Sequence, residues 1–441
     1  MLEPRRDTVV ENAKAPAMLN QSSARDILRR IAQGETTAEA VVRACLERIA
    51  AREKDVAAWA YCDPDLALAQ ARACDRAALR GALHGLPIGV KDNIDTADMP
   101  TEYGSPIWVG HRPEADAACV AILRAAGAVI LGKAANSEFA AFHPGKTRNP
   151  RNLAHVPGGS SSGSAAAVAD MMVPVALGTQ TGGSIIRPAA FCGVVGFKPS
   201  YGIINRAGVK PAAESVDTVG TIARDVEDAA FVAAVLMGAD AARFGSGPTR
   251  APRIAVYRGP DWSKAEAPAA AMLDEAARRL AKAGATVREI VPPKALAEAD
   301  QAHMKVCGFE MARALAYEWS HYRDRISATL TPVLEDGWKC SLADYLSAQR
   351  VVQAARAYMA DACAEDDIWL TLSSTGEAPA GRSTIGDSAF NRLWTILQVP
   401  TLTLPFGHGP CGLPLGLQLV GPYQGDEKLI LAARWCEAQL A

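Results

Sequence analysis

Two clusters rich in glycine and hydroxyl residues, close together near the middle of the chain, constrain its fold more than any other feature. The first reads Pro157-Gly158-Gly159-Ser160-Ser161-Ser162-Gly163-Ser164, and the second Gly178-Thr179-Gln180-Thr181-Gly182-Gly183-Ser184-Ile185-Ile186-Arg187-Pro188. Glycine permits sharp bends and close approach of backbone to a ligand, so each cluster sets hydroxyls on chain that can turn tightly. Between them, Ala165–Asp170 reads as the start of a helix, an arrangement that lets both clusters meet at one site. Function is therefore sought between about residues 157 and 220.

The flanking sequence supplies the frame. Ser22 or Ser23 can cap a helix over Ala24–Gln33, and Thr37 precedes the apolar-periodic Ala38–Arg52. Leu86–Val90 is a short apolar run that predicts a buried strand delivering Lys91 to its end. A helix over Ala117–Ala126, stopped by Gly127, leads to a strand over Ala128–Gly132. The same step recurs as strand Arg253–Tyr257, helix Pro268–Ala283 with Gly284 as its stop, and strand Thr286–Ile290. Strands at Thr401–Pro405 and Gly416–Val420 precede a terminal helix from about Asp426 to Leu440. Such alternation is that of an α/β protein. The 441 residues exceed the roughly 150 of an average domain. Yet there is no repeat, and the linker-like 241–252 is too short to separate independent units. One large mixed α/β domain over 1–441 is expected, with a Gly/Ser-rich core at about 85–220 and a variable pocket region at about 300–395.

Composition excludes several functions. Lys plus Arg is 46 and Asp plus Glu is 48, so the net charge of −2 offers no field for nucleic acid. Charged residues at 21% and apolar ones at 49% are the balance of a globular chain. The ten cysteines form no CxxC pair and the seven histidines no HExxH, which predicts reduced thiols, a cytoplasmic setting and no metal. The first twenty residues hold no secretory apolar run, and no uncharged apolar stretch reaches the ~18 residues of a membrane span.

Three chemistries compete for the Gly/Ser centre. A phosphate cradle would use backbone N–H groups before a helix, but neither cluster has the G-K-[ST] ending or the G-x-G-x-x-G opening. A nucleophile elbow would place Ser161 at the centre of Gly159–Gly163. That motif needs an apolar strand before it, and Asn149–Pro157 is polar with two prolines. In the third reading Ser184 is a nucleophile and the N–H groups of Thr181, Gly182 and Gly183 face an oxyanion. No histidine lies in either cluster, so Lys91 in Val90-Lys91-Asp92-Asn93 is the candidate base.

The sequence resembles the amidase signature family along nearly its whole length. The resemblance rests on Gly85-Leu86-Pro87-Ile88-Gly89-Val90-Lys91-Asp92-Asn93, Met99-Pro100-Thr101, Tyr103-Gly104-Ser105 and Ala135-Asn136-Ser137-Glu138-Phe139. The two Gly/Ser clusters follow, then Cys192-Gly193-Val194-Val195-Gly196-Phe197-Lys198-Pro199 and Gly412-Leu413-Pro414-Leu415-Gly416-Leu417-Gln418. It implies a Ser–cis-Ser–Lys triad, falling on Ser184 as nucleophile, Ser160 as the intervening cis-peptide serine and Lys91 as base. It also implies a large, mostly parallel twisted sheet between helical layers, and a homodimer that hydrolyses amides without a cofactor. Ser161 and Thr179 are expected to hold the loops. Lysine at its usual pKa of about 10.4 is protonated at neutral pH, and a useful base needs about 7–8. Burial in a dry site supplies a shift of that sign.

The resemblance has one informative break. The family pattern has an aspartate four residues before the nucleophile and an arginine two after it; here Gln180 and Ile186 stand there, with Arg187 one place further on. In this the chain resembles the malonamidase branch, which implies that Arg187 holds a substrate carboxylate through its planar fork. The other reading pairs Arg187 with a structural acid. The aromatics Trp319, Tyr322, Trp338, Trp369 and Trp394 would instead suit a bulky acyl or aryl pocket, with esters or carbamates as further substrates. Phe390–Trp394 is expected to pack behind the site. A component of a tRNA-dependent amidotransferase complex, which shares the triad, is the alternative of another class.

Overall fold

The computed structural model describes residues 18–78, 81–247, 249–363 and 365–441. Most of the segment read for an export signal, residues 1–17, lies outside the described residues, as does Pro248 within 241–252. Eleven strands form one sheet: β1 (Trp59–Tyr61), β2 (Pro87–Lys91), β3 (Val129–Ala134), β4 (Val175–Gln180), β5 (Val195–Lys198), β6 (Thr218–Ala223), β7 (Arg253–Tyr257), β8 (Thr286–Ile290), β9 (Ile368–Leu372), β10 (Thr401–His408) and β11 (Pro414–Val420). Their order is β1-β3-β2-β4-β6-β5-β10-β11-β9-β7-β8.

The sheet is mixed, as expected, but its balance is not mostly parallel. Four neighbour pairs run parallel, β2 with β3, β2 with β4, β7 with β8 and β7 with β9. The other six are antiparallel. Connection length decides which. On the flanks, helices Ala118–Ala125 and Ala267–Lys282 carry the chain back over the sheet to a parallel neighbour. In the centre β10 turns into β11 through only five residues, 409–413, and no helix separates β5 from β6, so neighbours there reverse direction.

Local signals placed the helices well. Ser23 caps helix Ala24–Ala32 by accepting from the Asp26 N–H, and Thr37 caps Ala38–Val56 by accepting from that of Ala40. Among the described residues no helix is long and apolar enough to cross a membrane.

Side-chain alternation along β2 and β4 positions the site. Ile88 and Val90 of β2, with Val175 and Leu177 of β4, enter one buried cluster. The opposite face is made of small residues, Gly89, Ala176 and Gly178, and against it lies helix Ser162–Ala169, built wholly of Ser, Gly, Ala and Val. A Cβ on Gly163 would fall 2.1 Å from the Ala58 carbonyl, and one on Gly178 would fall 2.9 Å from Ser161 Oγ. Only that run of small residues lets helix and sheet approach so closely. The N-terminus of the helix is thereby brought against the ends of β2 and β4.

Candidate active site

Lys91 ends β2 completely buried, and Ser160 is equally buried. Gly158, at φ 82°, turns the chain, and the Gly159–Ser160 peptide bond is cis. Lys91 Nζ donates to Ser160 Oγ at 2.7 Å, to Thr179 Oγ1 at 2.7 Å and to the Thr179 carbonyl at 3.3 Å. Burial holds the Lys91 amine well below the ordinary lysine range; the Asp217 carboxylate opposes this only in part. Asn93 donates a second hydrogen bond to Thr179 Oγ1. Ser161 bonds the Thr179 backbone in both directions, its Oγ donating to the carbonyl at 3.2 Å and accepting from the N–H at 3.3 Å. Its backbone N–H donates to the Ser184 carbonyl, which ties the two clusters together. No strand precedes Gly159–Gly163, so the elbow geometry for Ser161 is not formed.

The second cluster leaves β4 and turns into helix Ile186–Cys192. The carbonyls of its turn, residues 181–183, each have a partner. The Thr181 carbonyl accepts from His303 Nε2 at 2.9 Å, that of Gly182 from Thr395 Oγ1 at 2.8 Å, and that of Gly183 from the Arg187 N–H at 2.9 Å. The Thr181 hydroxyl donates to Asp217 at 2.5 Å. Among the described residues no protein acceptor takes the N–H groups of Thr181, Gly182 or Gly183. A Cβ on Gly183 would lie 2.4 Å from Asn391 Oδ1, so that position accepts only glycine. Burial raises Asp217 to about 6 and lowers His303 to about 4, which leaves the imidazole neutral at pH 7.

Gln180 explains the break in the family pattern. Its Oε1 accepts from the N–H groups of Ile185 and Ile186 at 2.8 and 3.1 Å, while Nε2 donates to Thr395 Oγ1 at 2.9 Å. A neutral amide supplies both polarities, so no arginine partner is needed at 186.

Thr181, Gly182, Gly183, Ser184 and Arg187 line one cleft of about 60 Å³. Ile385, Gly386, Ser388, His303, Met304, Cys307, Met311 and Val333 line it as well, together with Ala140–Phe142. Arg187 is 3% exposed and donates to the Gly159 carbonyl at 2.6 Å. Its Nε has no partner, and no carboxylate of the described residues lies within 4.0 Å. Burial lowers it to about 10, with Asp387 opposing, so it stays charged at neutral pH.

The five aromatics expected as a pocket wall do not line this cleft. Trp369 and Trp394 pack with Tyr257 in the core, Trp369 carried there by β9 and Trp394 by the short helix Arg392–Ile396. Arg323 sits over the Trp319 ring and Arg325 over that of Tyr322, while Trp338 is 40% exposed and clear of the cleft. Region 300–395 serves the cleft instead through His303, Met304, Cys307, Met311, Val333, Ile385, Gly386 and Ser388. His303 and Asp217 carried no local sequence signal. Among the described residues no group of three or more His, Cys, Asp or Glu is placed to hold a metal ion.

The Amidase family model matches residues 40–430. A glutamyl-tRNA(Gln) amidotransferase subunit from Acidothermus cellulolyticus is 34% identical, over 95% of this chain and 94% of its own. A crystallised amidase superposes with a TM-score of 0.87 at 32% identity, covering 95% of this chain and all (100%) of that one. The peptide amidase of Stenotrophomonas maltophilia gives 0.79 at 32% identity, over 95% and 97% of the two chains. With the family model spanning most of its length, the chain belongs to the amidase signature family of amidohydrolases.

Proposed function

We propose that the protein is a cofactor-independent hydrolase of a small amide, with Ser184 as nucleophile, Ser160 as proton relay and Lys91 as base. What carries this reading is Lys91 Nζ, fully buried and 2.7 Å from Ser160 Oγ, behind the loop that bears Ser184. As a neutral amine, Lys91 keeps N–H bonds to the two Thr179 oxygens and turns its lone pair to the Ser160 hydroxyl. Ser184 Oγ attacks the amide carbonyl as its proton passes to Ser160, whose own proton moves to Lys91. The N–H groups of Thr181, Gly182 and Gly183 receive the oxyanion. The relay then returns a proton to the departing amine, and water releases the acid from the acyl-enzyme by the same route. Mutation supports or sinks each role: Ser184→Ala abolishes turnover in this reading, and full activity in that variant would refute it.

For the substrate, Arg187 carries the reading. It is a charged guanidinium facing the cleft with no carboxylate partner, which suits an amide bearing a carboxylate, of the malonamate type. Ammonia release from malonamate and from a neutral amide of the same size, by wild type and Arg187→Ala, tests this. Preference for malonamate that collapses only in the variant is the expected result. Equal behaviour of the two enzymes would make Arg187 structural and turn the search to aryl amides, esters and carbamates.

A second reading is favoured by the 34% identity to a tRNA-dependent amidotransferase component. It makes the chain one member of a complex. Size-exclusion chromatography of protein drawn from its own cells separates the two: a homodimer active alone supports the hydrolase, and co-eluting partner proteins the amidotransferase.

A further inference from the structure

We infer that Thr395 and His303, from the C-terminal half of the chain, are positioning residues that aim the N–H groups of Gly182 and Gly183 at the oxyanion. The inference rests on the reading of Ser184 and its loop given above. In a planar trans peptide the carbonyl and the following N–H point in opposite directions. His303 draws the Thr181 carbonyl outward, so the Gly182 N–H faces the other way, and Thr395 does the same for the Gly182 carbonyl and the Gly183 N–H. Both glycines line the cleft beside Ser184.

The direction of each hydrogen bond is fixed by its neighbours. Two N–H groups, of Ile185 and Ile186, point at one oxygen of Gln180, so the other end of that amide must be the donor. Gln180 Nε2 then donates to Thr395 Oγ1, and the single hydroxyl proton of Thr395 is left to donate onward, to the Gly182 carbonyl at 2.8 Å in preference to the more distant Asn391 carbonyl at 3.2 Å. A carboxylate at position 180 would break this chain: it has no proton to give, and the Thr395 hydroxyl would turn to it and release Gly182. The neutral residue at 180 is thus part of the device. His303 has one possible role toward a carbonyl, donation from Nε2, and being buried and neutral it keeps that proton there.

The test uses Thr395→Val, Gln180→Glu and His303→Phe, with Thr395→Ser as the conservative control. Wild type is first labelled with a fluorophosphonate and the site located by mass spectrometry. Label absent from Ser184 refutes the reading of the site itself. With Ser184 labelled, each of the three variants is expected to lose about 10- to 100-fold in kcat, less than the 10²–10³ of deleting an oxyanion donor. KM stays within about threefold, affinity for a boronic acid that mimics the tetrahedral state falls in step with kcat/KM, and Thr395→Ser recovers most of the rate. Unchanged kcat in soluble, folded Thr395→Val and Gln180→Glu overturns the inference. So does a loss that appears in KM alone, or a boronic acid that binds the variants as tightly as wild type. Should Thr395→Val fail to fold, Gln180→Glu, nearly identical in shape, decides alone.

Discussion

Lys91 and Lys198 invite comparison, because both are fully buried lysines at the ends of strands in one sheet, yet only Lys91 belongs to the proposed catalytic site. Burial pushes both amines down, Lys198 to about 7 and Lys91 well below its ordinary value. The difference lies in what they touch. Lys198 donates to the carbonyls of Pro199 and Val399, at 3.0 and 2.7 Å, and a carbonyl has no proton to pass on. Lys91 touches two hydroxyls, and one of them, Ser160, is next in the chain to Ser161, whose N–H bonds the Ser184 carbonyl. Lys133 repeats the lesson: it bonds the Ile94 carbonyl and the hydroxyls of Thr96 and Thr101, and it does not line the cleft that holds Ser184. A lowered pKa marks a buried amine, and a hydroxyl relay leading to a cleft marks a base.

The sharpest way to break the comparison is to delete each amine in turn. Lys91→Met is expected to lower kcat by the roughly 10²–10⁴ of a lost general base, whereas Lys198→Met keeps kcat near wild type in steady-state assays. Ser160→Ala follows, with a loss of similar order, because it cuts the route while leaving the amine in place. Next comes pH. The acid limb of kcat/KM, which reports the free enzyme, is expected well below the ordinary lysine range, with activity rising as Lys91 loses its proton. The smallest effect is on stability, where the two lysines behave alike in sign. The unfolded chain binds more protons at Lys198 between pH about 7 and its ordinary 10.5, so folding stability rises with pH across that window. Below pH about 7 the cost of burying this amine no longer changes with pH. Thermal melts of wild type from pH 7 to 10 should show the rise, and Lys198→Met should flatten part of it.

Much of the candidate site's arrangement was legible in the sequence because its residues lie in contiguous runs whose composition has a local cause. Glycine at 158 and 163 answers to backbone geometry, and the apolar run before Lys91 to strand burial. The terminal helix Asp426–Leu440 and strands β7 and β8 carry equally local signals, and they fall where periodicity put them. What escaped was set by distance. His303 reaches Thr181 across 122 positions and Thr395 reaches Gly182 across 213, and neither neighbourhood announces the contact. The aromatics misled for the same reason: Trp369 and Trp394 belong to the core, packed against Tyr257 of the distant strand β7. Sheet direction escaped too, because it follows from which strands become neighbours and not from any strand's own pattern.

The most direct test of the account is to map fluorophosphonate labelling by mass spectrometry in wild type, Lys91→Met and Lys198→Met, with folding checked by circular dichroism. A single adduct on Ser184 is expected in wild type, the same adduct at a similar rate in Lys198→Met, and near loss of labelling in Lys91→Met. An adduct on another serine, or undiminished labelling in folded Lys91→Met, would contradict it.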